Sequence, residues 1–221
     1  MISSTTWPLP LEIVENVIDN AKDDVPCLRN LSLTCHNLLP RTRYHLFRTV
    51  SFKSIMELDG LCSFLKSNSC LRSLVHFVVA RSVPGQPHRL TLLEILAVPL
   101  LSLLPNLRGW TLSTVGLEHE PRKWSSFSNR TLAGLRHYSS GIRVLRISSV
   151  HFQTCSEFVR LLAAFRALRN LSCTDVHFER EKDIDVSDPL KKRLSSQLSL
   201  HRLSASPSDL FWGYATLTNF P

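Results

Sequence analysis

LPLEIVENVIDNAKDDVPCLRNLSLTCHNLLPRTRYHLFRTVSF, residues Leu9 to Phe52, decides the fold, because the chain after it repeats and this stretch does not. It reads as three short helices and a strand. Pro10 suits a first helical residue, which has no use for an N–H, and Glu12 puts negative charge in the first turn. Pro10, Ile13, Val14, Val17, Ile18 and Ala21 then form an apolar stripe at helical spacing. Asp24 is the expected cap of a second helix with Pro26 in its first turn, and Leu28, Leu31, Cys35 and Leu38 recur at three or four residues. A third helix is expected over about Pro40 to Phe47. The alternation Thr49-Val50-Ser51-Phe52 predicts a strand.

On these residues the stretch resembles the F-box family, the helical modules that attach substrate-recognition proteins to a Skp-type adaptor and through it to a cullin in ubiquitin ligases. The resemblance is carried by Leu9-Pro10-x-Glu12-Ile13, by Val17-Ile18-Asp19 and by Leu31-x-Leu33-x-Cys35-His36. Leu38 stands where the family often has Trp. The resemblance implies adaptor contact through Leu9, Pro10, Ile13, Ile18, Leu28 and Leu31. Size gives a separate reason to expect a partner. So short a segment buries too little surface to fold comfortably by itself, and apolar residues left over after three helices pack are what a partner covers.

Beyond Phe52 a template recurs: Leu107-x-x-Trp110-x-Leu112, Ile142-x-x-Leu145-x-Ile147 and Leu168-x-x-Leu171-x-Cys173, with a looser copy opening at Leu71-x-x-Leu74 and another at Leu200-x-x-Leu203. The starts at Leu71, Leu107, Ile142, Leu168 and Leu200 follow one another at a spacing around that of stacked structural repeats. Capping boxes at Ser54-x-x-Glu57, Thr91-x-x-Glu94 and Thr154-x-x-Glu157 start helices between the strands. Ser128 or Asn129 is the expected cap for Leu132 to Tyr138, and Asp188 for a helix opening at Pro189. Helix followed by strand in every unit makes the strands parallel.

These units resemble leucine-rich repeats, with Val115, Val150 and Val176 where that family places a turn-forming Asn. The expected fold is α/β: a three-helix F-box-like module over 1–52, then a short solenoid of helix–strand repeats with a curved parallel sheet over 53–221. Loops are expected at Arg81 to His88, Glu118 to Asn129 and Glu179 to Ser187.

The outward residues of each strand follow from the alternation: Gly109, Thr111 and Ser113; Val144, Arg146 and Ser148; Asn170, Ser172 and Thr174; Arg202, Ser204 and Ser206. Thr111, Arg146, Asn170 and Arg202 are the candidate substrate contacts, the arginines being suited to a carboxylate or phosphate.

The formal charge of +8 is uneven. Residues 1–52 hold five basic and five acidic side chains, leaving 26 − 5 = 21 basic against 18 − 5 = 13 acidic side chains after them. The arginines are scattered singly, with Lys191-Lys192-Arg193 the one basic triplet, so a solvated surface is the first reading and a nucleic-acid partner is not expected. Six cysteines without a Cys-x-x-Cys pair imply reduced core thiols. Neither a leader peptide nor a membrane span is expected, since Leu92 to Leu104 is too short and is broken by Glu94 and Pro99; the expected compartment is cytoplasm or nucleus. Phosphate-loop, nucleophile-elbow and zinc motifs are missing. His151 and Cys155, four residues apart, read as a surface histidine and a core thiol before a catalytic pair. The expectation is a substrate receptor that is no enzyme, with no metal or cofactor. The alternative is a repeat scaffold or basic nucleic-acid-binding protein whose N-terminal helices only cap the repeats.

Overall fold

The computed structural model describes residues 9–82, 97–114, 127–180 and 202–205. The chain divides into two compact units, Met1–Thr49 and Val50–Pro221, so most of the strand after the third helix belongs to the second unit rather than the first.

In the first unit, α1 (Leu11–Asn20), α2 (Val25–Thr34) and α3 (Leu39–Arg48) follow one another through short turns. Pro10 is the cap of α1 rather than its first residue, its carbonyl accepting from Ile13 and Val14 at 3.1 and 3.3 Å. The Asp24 carboxylate accepts from the Cys27 N–H at 2.9 Å and caps α2, with Pro26 in the first turn. Val14, Ile18, Leu28 and Leu38 form the core, with Ala21, Leu31, Cys35 and Leu46 packed against it. Leu38 is thus a core residue. Its carbonyl also accepts from the buried Thr42 hydroxyl at 2.9 Å.

The second unit is mixed α/β. It holds β1 (Thr49–Phe52, of which Thr49 lies in the first unit), α4 (Ile55–Ser67), α5 (Ser69–Arg72), β2 (Phe77–Ser82), α6 (Ala97–Leu101), β3 (Gly109–Thr114), α7 (Asn129–Tyr138), β4 (Val144–Ser148), β5 (His151–Thr154), α8 (Cys155–Leu162), β6 (Asn170–Thr174), β7 (His177–Arg180) and β8 (Arg202–Ala205). Ser54, Ser128 and Thr154 cap α4, α7 and α8, each side-chain oxygen accepting the N–H three residues on at 3.1 to 3.2 Å. Glu57 returns the bond to the Lys53 N–H at 2.7 Å. The Thr91-x-x-Glu94 box, the helix after Asp188, Lys191 to Arg193 and most of the three expected loops lie outside the described residues. Arg81 and Ser82 continue β2, and Glu179 and Arg180 end β7, so the first and third loops begin later than expected.

The main sheet runs β1-β2-β3-β4-β6-β8, and β2, β3, β4, β6 and β8 are parallel. Val78, Ala80, Trp110, Leu112, Leu145, Ile147, Leu171 and Cys173 are all buried, on the inward side of the alternation. The register corrects one alignment. Phe77 pairs with Gly109 and Ala80 with Leu112, so the first copy of the template is Val75-x-x-Val78-x-Ala80 and not Leu71-x-x-Leu74. Val75 and Val78 are buried and supply the template's first two apolar contacts. Along one rung the chain passes from Phe77 to Gly109, Val144, Asn170 and Arg202, one repeat later each time.

A second, two-stranded parallel ladder joins β5 to β7. Ser149 and Asp175, at equivalent places after β4 and β6, both have left-handed backbones, with φ of 54° and 56°. Small polar residues tolerate that region far better than the Val beside each of them would. Ser149 donates its N–H to the Thr174 carbonyl at 2.8 Å, and the chain turns from the first ladder into the second there. Val150 is fully buried. Phe152 and Phe178 then stack across the second ladder at 6.1 Å.

Candidate functional site

Two surfaces, one in each unit, carry exposed groups that the fold does not use. In the first unit, α1 is held to α3 by Asp19. Its carboxylate accepts from Arg41 Nε at 2.7 Å and from Arg41 Nη2, and pairs with His45 Nε2 at 2.7 Å. The hydrogen bonds of Arg41, then those of His45, hold the Asp19 carboxyl well below the usual carboxylate range. With α1 fixed in this way, Val14 and Ile18 point into the core, while Leu9, Leu11, Ile13 and Val17 remain about half exposed, at 47 to 55%. The expected stripe is therefore two stripes about 100° apart, one covered and one open.

That division sorts the expected adaptor contacts by exposure. Leu9, Pro10 and Ile13 lie on the surface, but Ile18 and Leu28 are 1% and 0% exposed inside the unit's own core and offer a partner no side-chain surface. Leu31 is half-buried against the same core.

Because the Asp19 carboxyl is depressed in the folded state, its bonds stabilise the first unit above the ordinary carboxylate pKa of about 3.9 and the contribution is lost as pH falls below it. Asp19→Asn should lower the unit's stability at neutral pH and flatten its dependence on pH in the acid range. Helix-signal melts at pH 7 and pH 3 check this, the expected difference between variant and parent being larger at pH 7.

In the second unit, the sheet face opposite the buried residues is partly open, with Arg81, Arg146, Asn170 and Thr174 exposed and Gly109 buried. Its rows follow from the register: Phe77, Gly109, Val144, Asn170 and Arg202 in one; Val79, Thr111, Arg146, Ser172 and Ser204 in the next; Arg81, Ser113, Ser148 and Thr174 in the third. Neighbouring strands set the members of a row about 4.8 Å apart. The candidate contacts thus fall on adjacent strands, Thr111 beside Arg146 in the middle row and Asn170 beside Arg202 in the row before it. Arg146 and Asn170 are exposed and Thr111 is half-buried; Arg202 is placed by register alone.

Aligning the first repeat on Leu71 hides three members of this face, Phe77, Val79 and Arg81. The Val75-x-x-Val78-x-Ala80 spacing is the signal that would have found them. Phe77 lies across Gly109, where an added Cβ would come within 2.5 Å of the ring, so glycine is what lets the aromatic lie flat on the strand. None of the described residues in the three rows is acidic. The side chains of Arg81 and Arg146 make no hydrogen bond or ion pair among the described residues.

At the other end of the turn, His177 Nε2 lies 2.6 Å from Asp175 Oδ1, and the His151 ring stacks on His177 at 4.8 Å. Burial pushes the Asp175 carboxyl up, but hydrogen bonds from His177 and Ser149 outweigh it and hold the group below its ordinary value. Burial pushes the Cys155 thiol up, away from the thiolate that a nucleophile requires. Among the described residues, no three His, Cys, Asp or Glu side chains are grouped to hold a metal, and no helix is long and apolar enough to cross a membrane. The described cysteines carry free thiols.

A scan of family models finds no match to this chain, and a comparison with curated proteins finds none either.

Proposed function

We propose that the chain is the substrate-recognition subunit of a Skp-cullin-F-box type ubiquitin ligase, with the first unit as the adaptor-binding module and the second as a leucine-rich-repeat-like solenoid that holds a protein substrate. The supporting observation is the outer face of α1. A unit small enough to need every apolar contact nevertheless leaves Leu9, Leu11, Ile13 and Val17 half exposed, in a Leu-Pro-x-Glu-Ile sequence that resembles the F-box start. In this reading Leu9, Pro10 and Ile13 meet the adaptor, Leu31 contributes its exposed part, and Ile18 and Leu28 act by holding the helices. Thr111, Arg146, Asn170 and Arg202 face the substrate, and ubiquitin transfer belongs to other subunits.

The test is co-purification with a Skp-type adaptor, followed by titration. Leu9→Ala with Pro10→Ala should weaken binding at least tenfold, about 1.4 kcal/mol, because truncating apolar anchors at an interface removes their buried area. The melting curve should hardly change, since Leu9 is exposed and the carbonyl that caps α1 is retained at position 10. Equal binding by parent and variant would remove the adaptor from the proposal.

A further inference from the structure

One residue before the first open row, three consecutive repeats place an arginine in the same position: Arg108 before Gly109, Arg143 before Val144, Arg169 before Asn170. The backbone holds these positions firmly. The His76 carbonyl accepts from Arg108 and Gly109 at 2.8 and 3.0 Å, that of Arg108 from Arg143 and Val144 at 2.7 and 3.0 Å, and that of Arg143 from Arg169 and Asn170, both at 2.9 Å. The parallel ladder thus extends one residue upstream of the strands and stacks three arginines on consecutive rungs, about 4.8 Å apart and spanning about 10 Å. All three are exposed, and none makes a side-chain hydrogen bond or ion pair among the described residues. Three like charges at this spacing repel one another, and nothing in the folding of the sheet requires them, since the buried template positions beside them already fill the core. Their combined field favours an anionic partner, and the guanidinium fork matches a carboxylate in two hydrogen bonds.

We infer that Arg108, Arg143 and Arg169 form a carboxylate-binding row that takes an extended, Asp- or Glu-rich protein segment laid across the strands. This deepens the receptor reading and rests on it for the role of that segment as substrate. Charge complementarity names the partner, and one feature favours protein over nucleic acid. Single-stranded nucleic acid is held by several aromatic platforms beside a basic groove, whereas the open rows present one ring, Phe77, already lying against Gly109.

The experiment is fluorescence anisotropy on the full chain with labelled octaglutamate, with a labelled octathymidylate as the nucleic-acid arm. Arg108→Gln, Arg143→Gln and Arg169→Gln together should weaken octaglutamate binding at least tenfold. A charge-matched control, Arg29→Gln, Arg43→Gln and Arg130→Gln, should weaken it by less than threefold. The three Arg→Lys replacements keep the charge and lose the fork, and should fall between parent and Gln variant. Equal binding by the Gln variant and the control, or octathymidylate binding tighter than octaglutamate and lost with the same three arginines, overturns the inference. Adaptor binding by the Gln variant is measured alongside. Its persistence separates failure of the arginine row from failure of the receptor assignment.

Discussion

Phe152→Ala should be the most damaging single substitution in the second unit, costing about 3–5 kcal/mol. The ring is fully buried and touches three others: it stacks on Phe127 and on Phe178, both at 6.1 Å, and meets Phe158 edge-on at 5.2 Å. These come from the segment before α7, from α8 and from β7, so one truncation opens a cavity shared by three elements that cannot all close on it. Aromatic pairs add about 0.5–1.5 kcal/mol beyond the area they bury, and three such pairs are lost together. In a unit of this size each kcal/mol moves the midpoint of thermal unfolding by about 2–4 °C, so the melting curve should shift by roughly 10 °C. Phe152→Leu, which retains most of the volume, should shift it by less than half as much. Equal shifts for the two variants would mean that the rings contribute no more than their volume.

Leu28→Ala should unfold the first unit. The side chain is 0% exposed at the centre of a core of four buried residues, and deleting it costs about 2–5 kcal/mol. At about 0.05–0.15 kcal/mol per residue, a unit the size of Met1–Thr49 has a total stability of the same order, roughly 2.5–7 kcal/mol. Hydrogen exchange distinguishes this outcome from a local one. Amides of α1, α2 and α3 should lose protection together, while those of β3, β4 and β6 keep theirs, because those strands belong to the other unit and its own core. The same measurement separates two ways of losing an adaptor. Leu28→Ala should abolish binding together with protection, and the Leu9 and Pro10 double variant should weaken binding with protection intact. Loss of binding by Leu28→Ala with protection retained would return Leu28 to the interface and contradict its burial.

What could be read from the sequence was what is settled within a few residues. Asp24, Ser54, Ser128 and Thr154 were legible as caps because a cap is a bond to an N–H three residues on. The inward residues of β3, β4 and β6 were legible because the template is repeated and period two leaves no freedom once a strand is recognised. The first repeat was misaligned because Leu71 and Leu74 are as apolar as Val75 and Val78, and only pairing with Gly109 and Trp110, a full repeat further along the chain, decides between them. Which of the candidate contacts on α1 stay exposed was not legible for a similar reason. Ile13 and Val17 are indistinguishable from Val14 and Ile18 by hydropathy, and the bonds from Asp19 to Arg41 and His45 that orient the helix pass over the whole of α2. The second ladder, β5 with β7, was missed because its signal is a pair of left-handed residues, Ser149 and Asp175, that no apolar pattern announces.

The rung spacing also bears on the order in which the second unit assembles. Each described rung from β2 to β8 closes across a whole repeat, so no pair of these strands is joined by a hairpin and none has a head start. The cost of closing a loop grows only with the logarithm of its length, and between the shortest repeat and the longest it differs by about 0.3 kcal/mol. Chain length therefore leaves the choice of the first rung to packing. Among the described residues the longest run of buried side chains lies between β4 and β6, where Val150, Phe152, Phe158, Val159 and Leu161 to Phe165 are all buried. Substitutions there should slow folding, whereas equal losses of stability at β2 should mainly speed unfolding, so the centre of the sheet sets how fast the fold appears and its margin sets how long it lasts.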